Sequence, residues 1–240
     1  MSFAIFKQAR VLTLAACISS LVAFGACDSS PRTGTGPAAV WYEGSAPIIR
    51  HQVDVSRNRL WILAWDGVHV YDQGTRKQIG RAALPEWSWV GEPYGCAPAL
   101  AIGPQGEAIV TSDVAPAVWR VDPVNFAVTR TVLALDADAD KDAGFSGLAY
   151  APAQGVFIAT STFTGTLWRV DPLLQTAQKI ALSSRLPRTC GWDIAPPAPG
   201  RGRDLRLQLC ISSRRLSRQI SVTPDLRSAD VVAQTCGRSD

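Results

Sequence analysis

VWRVDP occupies residues 118–123 and LWRVDP occupies residues 167–172, five of six letters agreeing at an offset of 49 residues. The likeness continues on both sides. Residues 99–135 (ALAIGPQGEAIVTSDVAPAVWRVDPVNFAVTRTVLAL) run alongside residues 147–182 (GLAYAPAQGVFIATSTFTGTLWRVDPLLQTAQKIAL). The second copy holds four short apolar runs, Gly147–Ala151, Val156–Thr160, Thr166–Val170 and Thr176–Leu182. Runs of about five residues rich in Val, Ile, Leu and Trp predict strands. Pro104-Gln105-Gly106 and Pro152-Ala153-Gln154-Gly155 supply turn chemistry between the first run and the second. After residue 40 no apolar stripe of helical period is long enough to predict a helix.

Two weaker copies flank these. Upstream, residues 48–84 carry Val68-His69-Val70-Tyr71-Asp72 where the next copy has Val118 to Asp122. Downstream, Gly191 to Ala233 carry Ile220 to Pro224 in the place of Trp168 to Pro172. Four copies of a four-strand unit with a period near 50 residues predict an all-β chain. The architecture is a small β-propeller of about four four-stranded blades over residues 41–240. A lone blade exposes two apolar faces, so neighbours must cover them, and Trp119 and Trp168 are expected in that packing. Closed rings of four blades lie at the small end of the range. An incomplete ring closed by a second chain is the alternative.

The first 26 residues are set apart. Lys7 and Arg10 precede an apolar run from Val11 to Phe24, and small residues follow before Cys27. This is the pattern of a secretory signal, with a run shorter than the roughly 20 residues of a membrane span. Phe24-Gly25-Ala26-Cys27 is similar to a bacterial lipobox, although Phe24 stands where Leu is usual. Leu14-Ala15-Ala16-Cys17 fits the letters better, but it leaves only six apolar residues after Arg10. Residues 1–26 are therefore expected to be a lipoprotein signal peptide, with Cys27 lipidated and residues 27–40 a flexible Ser/Pro/Gly/Thr tether. Acyl chains would hold the protein to a membrane of the cell envelope, on the periplasmic side.

Removing that segment takes away two basic side chains and no acid, leaving 22 basic against 20 acidic. Residues 185–240 are uneven, with ten arginines and five aspartates. Such a face suits anionic lipid, an acidic partner or plain solvation; nucleic acid is not an expected partner. Cys96, Cys190, Cys210 and Cys236 remain for disulfides in an exported chain. Pairing Pro196 with Asp204 across the PPAPGRGRD hairpin would set Cys190 opposite Cys210, leaving Cys96 for Cys236; Cys210–Cys236 competes. No C-x-x-C pair exists and neither histidine lies near these cysteines in sequence, so zinc spacing is absent.

The repeats resemble the bacterial propeller superfamily that includes YVTN-type repeat proteins and the β chain of quinoprotein amine dehydrogenases. Gly147-Leu148-Ala149-Tyr150-Ala151-Pro152 matches its repeat start, and Val121-Asp122-Pro123 and Val170-Asp171-Pro172 match its third-strand end. The likeness spans residues 48–233. It implies the fold, and leaves activity open because enzymes, subunits and binding proteins share such repeats.

Function is expected in what does not repeat. The connector PEWSWVGEPYGC (residues 85–96) offers Trp87, Trp89, Glu92 and Tyr94 as a binding surface for a protein or small molecule. The alternative is that both tryptophans plug the ring as core. Asp136, Asp138, Asp140 and Asp142 alternate on a loop, as Ca²⁺ ligands do. Lys141 and Gly147 nevertheless stand where an EF-hand has its glycine and its last Glu. No other cofactor is expected. His51 and His69 are expected in structural, hydrogen-bonded roles, and no G-x-S-x-G elbow or phosphate loop is present. The expected function is that of a lipid-anchored, non-enzymatic binding or scaffold protein. Its binding face would be loops 85–96, 136–146 and 183–192. A metal-assisted lactonase or lyase, or a subunit of a periplasmic redox complex, is the alternative; Arg50, His51 and Asp193 are the polar groups at first-strand starts.

Overall fold

A computed structural model describes residues 42–91, 95–136, 144–161, 164–186, 192–195, 205–211 and 216–235; for 192–195, 205–211, 216–219 and 232–235 only the backbone is described. The signal, Cys27 and the tether lie outside this set.

Four antiparallel sheets follow one another along the chain. Blade 1 holds β1 (Ile48–Asp54), β2 (Arg59–Ala64), β3 (Gly67–Asp72) and β4 (Gln78–Ala82). Blade 2 holds β5 (Leu100–Ile102), β6 (Ala108–Thr111), β7 (Ala117–Val121) and β8 (Val128–Val132), with a short β9 (Ala134–Leu135) beyond it. Blade 3 is β10 (Gly147–Ala151), β11 (Val156–Ser161), β12 (Thr166–Val170) and β13 (Thr176–Leu182). Blade 4 is β14 (Trp192–Ala195), β15 (Leu205–Ile211), β16 (Leu216–Val222) and β17 (Ser228–Thr235). The four runs read from the second copy become four strands with one changed boundary, Ser161 for Thr160. The innermost strands lie side by side in the order β1, β5, β10, β14. Outer edges are stitched in parallel, β9 to β13 and β13 to β17.

The middle strands are apolar on the faces that neighbouring blades cover. The first seam joins Trp61, Leu63, Val68 and Val70 to Leu100, Val110, Trp119 and Val121. The second joins Ala101, Ile109 and Val118 to Phe157, Trp168 and Val170, and the third joins Ile158, Leu167 and Ile180 to Ile220, Val222 and Ala229. Trp61, Trp119 and Trp168 are all fully buried, so the tryptophan of the echo is packing. Leu60, Ile62 and Tyr71 point from blade 1 away from blade 2, and they too are buried.

The Asp of each echo works in the turn that follows. Asp122 accepts the amides of Val124 and Asn125, and Asp171 accepts those of Leu173, Gln175 and Thr176. Every such turn then places a non-glycine residue in the left-handed region: Arg76, Phe126, Leu174 and Leu226, at φ between 58° and 60°. That conformation costs a residue with a Cβ about 1–2 kcal/mol. Packing offsets it in three blades, because Phe126, Leu174 and Leu226 insert into the first, second and third seams. Phe126 meets Trp61 edge-on at 6.3 Å, and a Cβ on Gly80 would collide with its ring.

One expectation needs correction. Asp193, not Cys190, lies opposite Cys210, with Trp192 opposite Ile211. The reason is that β15 takes its length from β16, pairing over all of Leu205–Ile211, so Leu205–Leu207 overhang β14. The register thus removes the argument for a Cys190–Cys210 bridge. His51 is exposed on β1, whereas His69 is buried on β3.

Candidate functional site

Antiparallel order places every inter-blade connector, and every hairpin between a second and third strand, at one end of the blades. At this upper end the connector 85–91 crosses the exit of β6. Trp87 Nε1 donates to the Thr111 carbonyl at 3.0 Å, Ser112 Oγ donates to the Ser88 carbonyl at 2.6 Å, and the Val90 amide donates to Asp113 Oδ1 at 3.0 Å. The next connector arrives at the same point: the Phe145 amide donates to the Ser112 carbonyl at 2.6 Å, and Thr111 Oγ1 donates to the Phe145 carbonyl at 2.5 Å. The structure therefore brings residues 85–91 and 144–146 of those two loops together around Thr111–Asp113. Of the third loop, Leu186 ties back to Gly165, and residues 187–191 lie outside the described set.

Trp87 and Trp89 behave differently. Trp87 packs against the first seam and is half core. Trp89 lies over it at 5.9 Å and meets Trp65 nearly perpendicularly, at 5.3 Å and 86°. Trp65, on the β2–β3 hairpin, is 61% exposed. Neither Trp65 nor Asp113 was singled out from the sequence; each lies in the turn after a second strand. Asp66 and Asp113 each stand two residues beyond the end of a second strand, an equivalence that the 50-residue offset between the first two copies passes over.

Asp113 sits where three segments cross. A Cβ on Gly95 would collide with the Val90 carbonyl and the Asp113 carboxylate, and one on Gly144 would collide with the Asp113 backbone. Burial pushes the Asp113 carboxyl above its ordinary value, more than the amides of Val90 and Cys96 lower it. Its Oδ2 is buried without a hydrogen-bond partner. Asp66 differs: burial would raise it, but the His69 hydrogen bond and the nearby positive charge of Arg81 leave it below the ordinary value. Its Oδ1 lies 2.9 Å from His69 Nε2, and its Oδ2 lies 2.8 Å from Arg81. This gives His69 the structural bond expected of it. Glu86 faces Arg130 at 3.7 Å.

The remaining candidates are spread out. Asp136 Oδ1 accepts the Lys179 amide at 3.0 Å, which ties the loop to β13. Asp138, Asp140 and Asp142 lie outside the described residues, as do Glu92, Tyr94, Cys190 and Cys236. Among the described residues no three His, Cys, Asp or Glu side chains gather as metal ligands. Cys96 is disulfide-bonded. Arg50 spans the inner strands, donating to the carbonyls of Pro98 at 3.1 Å and Ser146 at 3.5 Å. Among the described residues no helix is long and apolar enough to cross a membrane.

Comparison with known proteins follows this geometry. No protein-family model matches the chain, and no curated protein matches it. Solved structures do match. Hydrazine synthase of Kuenenia stuttgartiensis aligns with TM-score 0.55 and 15% identity over 80% of this chain and 51% of its own. Virginiamycin B lyase from Staphylococcus aureus aligns with TM-score 0.56 and 10% identity over 82% and 59%, and the Dos1 propeller with TM-score 0.50 and 11% over 79% and 48%. The likeness is one of fold. It sets this all-β chain among β-propellers, and the chain spans about half the length of these structures.

Proposed function

We propose that the chain is a non-enzymatic binding protein of the bacterial cell envelope, held to a membrane by lipid on Cys27, whose upper face meets its ligand. The observation that carries this is the tryptophan surface of Trp65, Trp87 and Trp89. The loop beneath is tied on both sides of Trp89, by Ser88 and by Val90. A rigid aromatic surface loses little conformational freedom on binding, which is how such surfaces gain affinity. A Cys96–Cys236 bridge would fasten the chain end beneath the tryptophan loop.

Site-specific photo-cross-linking in the native host tests the face. A photoreactive residue at Val114, beside the tryptophans, is expected to capture a ligand, whereas one at Val124 on the underside is not; equal capture at both overturns the reading. Turnover of a lactone or ester by the purified protein would overturn the non-enzymatic part. Radioactive fatty acid is expected to label the native chain and not Cys27→Ala, and peptide mapping without reductant reads the cysteine pairing.

A further inference from the structure

The upper face has a chemistry specific enough to name a ligand class, and the inference rests on the binding role proposed above. Trp65 and Trp89 form a two-walled corner, at 86° and 5.3 Å, with Trp87 behind it. Three ligand types use such corners: cations, protein side chains, and uncharged molecules with one apolar face and a polar edge.

Charge decides against the first. Cation recognition by aromatic rings gains most where the site is desolvated and its field unopposed. The carboxylates next to the corner along the chain are already engaged, Asp66 with Arg81 and with the ring of His69, and Glu86 with Arg130. Burial of Asp113 favours its uncharged form. An ammonium group entering the corner would lose hydration and meet no uncompensated charge.

Size decides against the second. Among the described residues, the large apolar side chains exposed along the Trp89–Asp113 crossing are Trp65, Val90 and Val114, at 61%, 42% and 39%. A whole Trp side chain offers only about 150–250 Å², whereas a stable protein interface buries about 800 Å² on each partner. The apolar patch that the described residues form is the size of one or two small rings.

We propose that the Trp65–Trp89 corner binds a neutral saccharide. A pyranose ring presents an apolar face of C–H groups to a tryptophan and a rim of hydroxyls to its surroundings. The apolar face stacks on Trp65, the half-buried Trp89 closes the second side, and the rim of hydroxyls stays turned to water. The corner is built before the ligand arrives: Trp87 is fixed by its bond to Thr111, and the Trp65 amide donates to the Pro47 carbonyl at 3.1 Å.

The test titrates the purified full-length chain with cellohexaose, maltohexaose and chitohexaose, and separately with tetramethylammonium chloride, following tryptophan fluorescence and heat. At least one saccharide is expected to bind saturably and with little change between about 50 and about 500 mM salt, beyond what screening of a charged ligand would allow. Trp65→Ala is expected to weaken it about tenfold, and Trp65→Phe by less, with unchanged thermal unfolding. Failure of all three sugars to bind, affinity unaffected by Trp65→Ala, or salt-sensitive binding of tetramethylammonium in their place overturns the saccharide assignment. If Val114 still cross-links a ligand in cells while the sugars fail, the binding face stands and only its ligand class falls. If neither occurs, both fall.

Discussion

Four aspartates at the lower end of the blades and Asp113 at the upper end have opposite surroundings. On the underside, Asp72, Asp122, Asp171 and Asp225 sit in the turns before the outermost strands. The Asp72 carboxyl is lowered chiefly by the Thr75 amide, that of Asp122 by the Asn125 amide and that of Asp225 by the Thr223 hydroxyl. Burial would raise Asp171, but the amide and hydroxyl of Thr176 and the amides of Gln175 and Leu173 outweigh it. On the upper side, Asp113 is raised by burial and keeps an orphaned oxygen. A carboxylate that is fully hydrogen-bonded within its own turn stabilises that turn, whereas one that is desolvated where three segments cross marks a place where stability is not what the residue contributes.

The largest effect expected from this contrast is on the underside. Leu174 is buried in the second seam from a left-handed turn position, and Leu173 beside it is 71% exposed. Leu174→Ala is expected to lower unfolding free energy by about 2–5 kcal/mol, and Leu173→Ala by less than about 0.5 kcal/mol, both read by chemical denaturation. Equal effects would mean that the turn, and not the plug, holds the seam.

Asp171→Ala comes next, at about 1–2 kcal/mol, since three backbone amides lose their acceptor. Its pH dependence has a fixed sign. A carboxyl lowered in the folded state contributes stability above its ordinary value, and that contribution disappears as pH falls through the folded value. The difference between native chain and variant should therefore shrink on acidification below about pH 4. Asp113→Asn should do the reverse and be smaller. A raised carboxyl makes the folded state bind the extra proton, so native stability falls as pH rises through the raised value. Asn has no such titration. A melting-temperature series in which Asp113→Asn follows the native pH slope would remove Asp113 from the comparison.

The repeat made the underside legible from the letters alone. WRVDP carries both what packs, Trp119 and Trp168, and what turns, Asp122 and Asp171, because local turn chemistry and strand alternation are short-range. The four strands of blade 3 follow for the same reason. Blade 4 was misread where local chemistry is silent: a long Pro/Gly loop leaves the register free, and pairing between β15 and β16 sets it. The upper site was half legible. Trp87 and Trp89 stand out in one loop, but Trp65 lies in a two-residue hairpin more than twenty positions earlier and meets Trp89 only because blades 1 and 2 pack. Asp113 looks like an ordinary hairpin residue until two connectors close over it.

Trp65 gives the smallest expected change in stability and the sharpest test of the contrast. It is exposed and makes one ring contact, with Trp89, so Trp65→Ala should shift unfolding free energy by no more than about 0.5 kcal/mol, as surface changes do. Trp168→Ala, removing a ring buried in the second seam, should cost about 3–5 kcal/mol. The two substitutions delete the same side chain from two ends of one argument. If Trp65→Ala destabilises nearly as much, the upper tryptophans belong to the core and the face has no site. If it leaves stability untouched, then an exposed aromatic has been held rigid without contributing to the fold, and contact with something outside the chain is the role left for it.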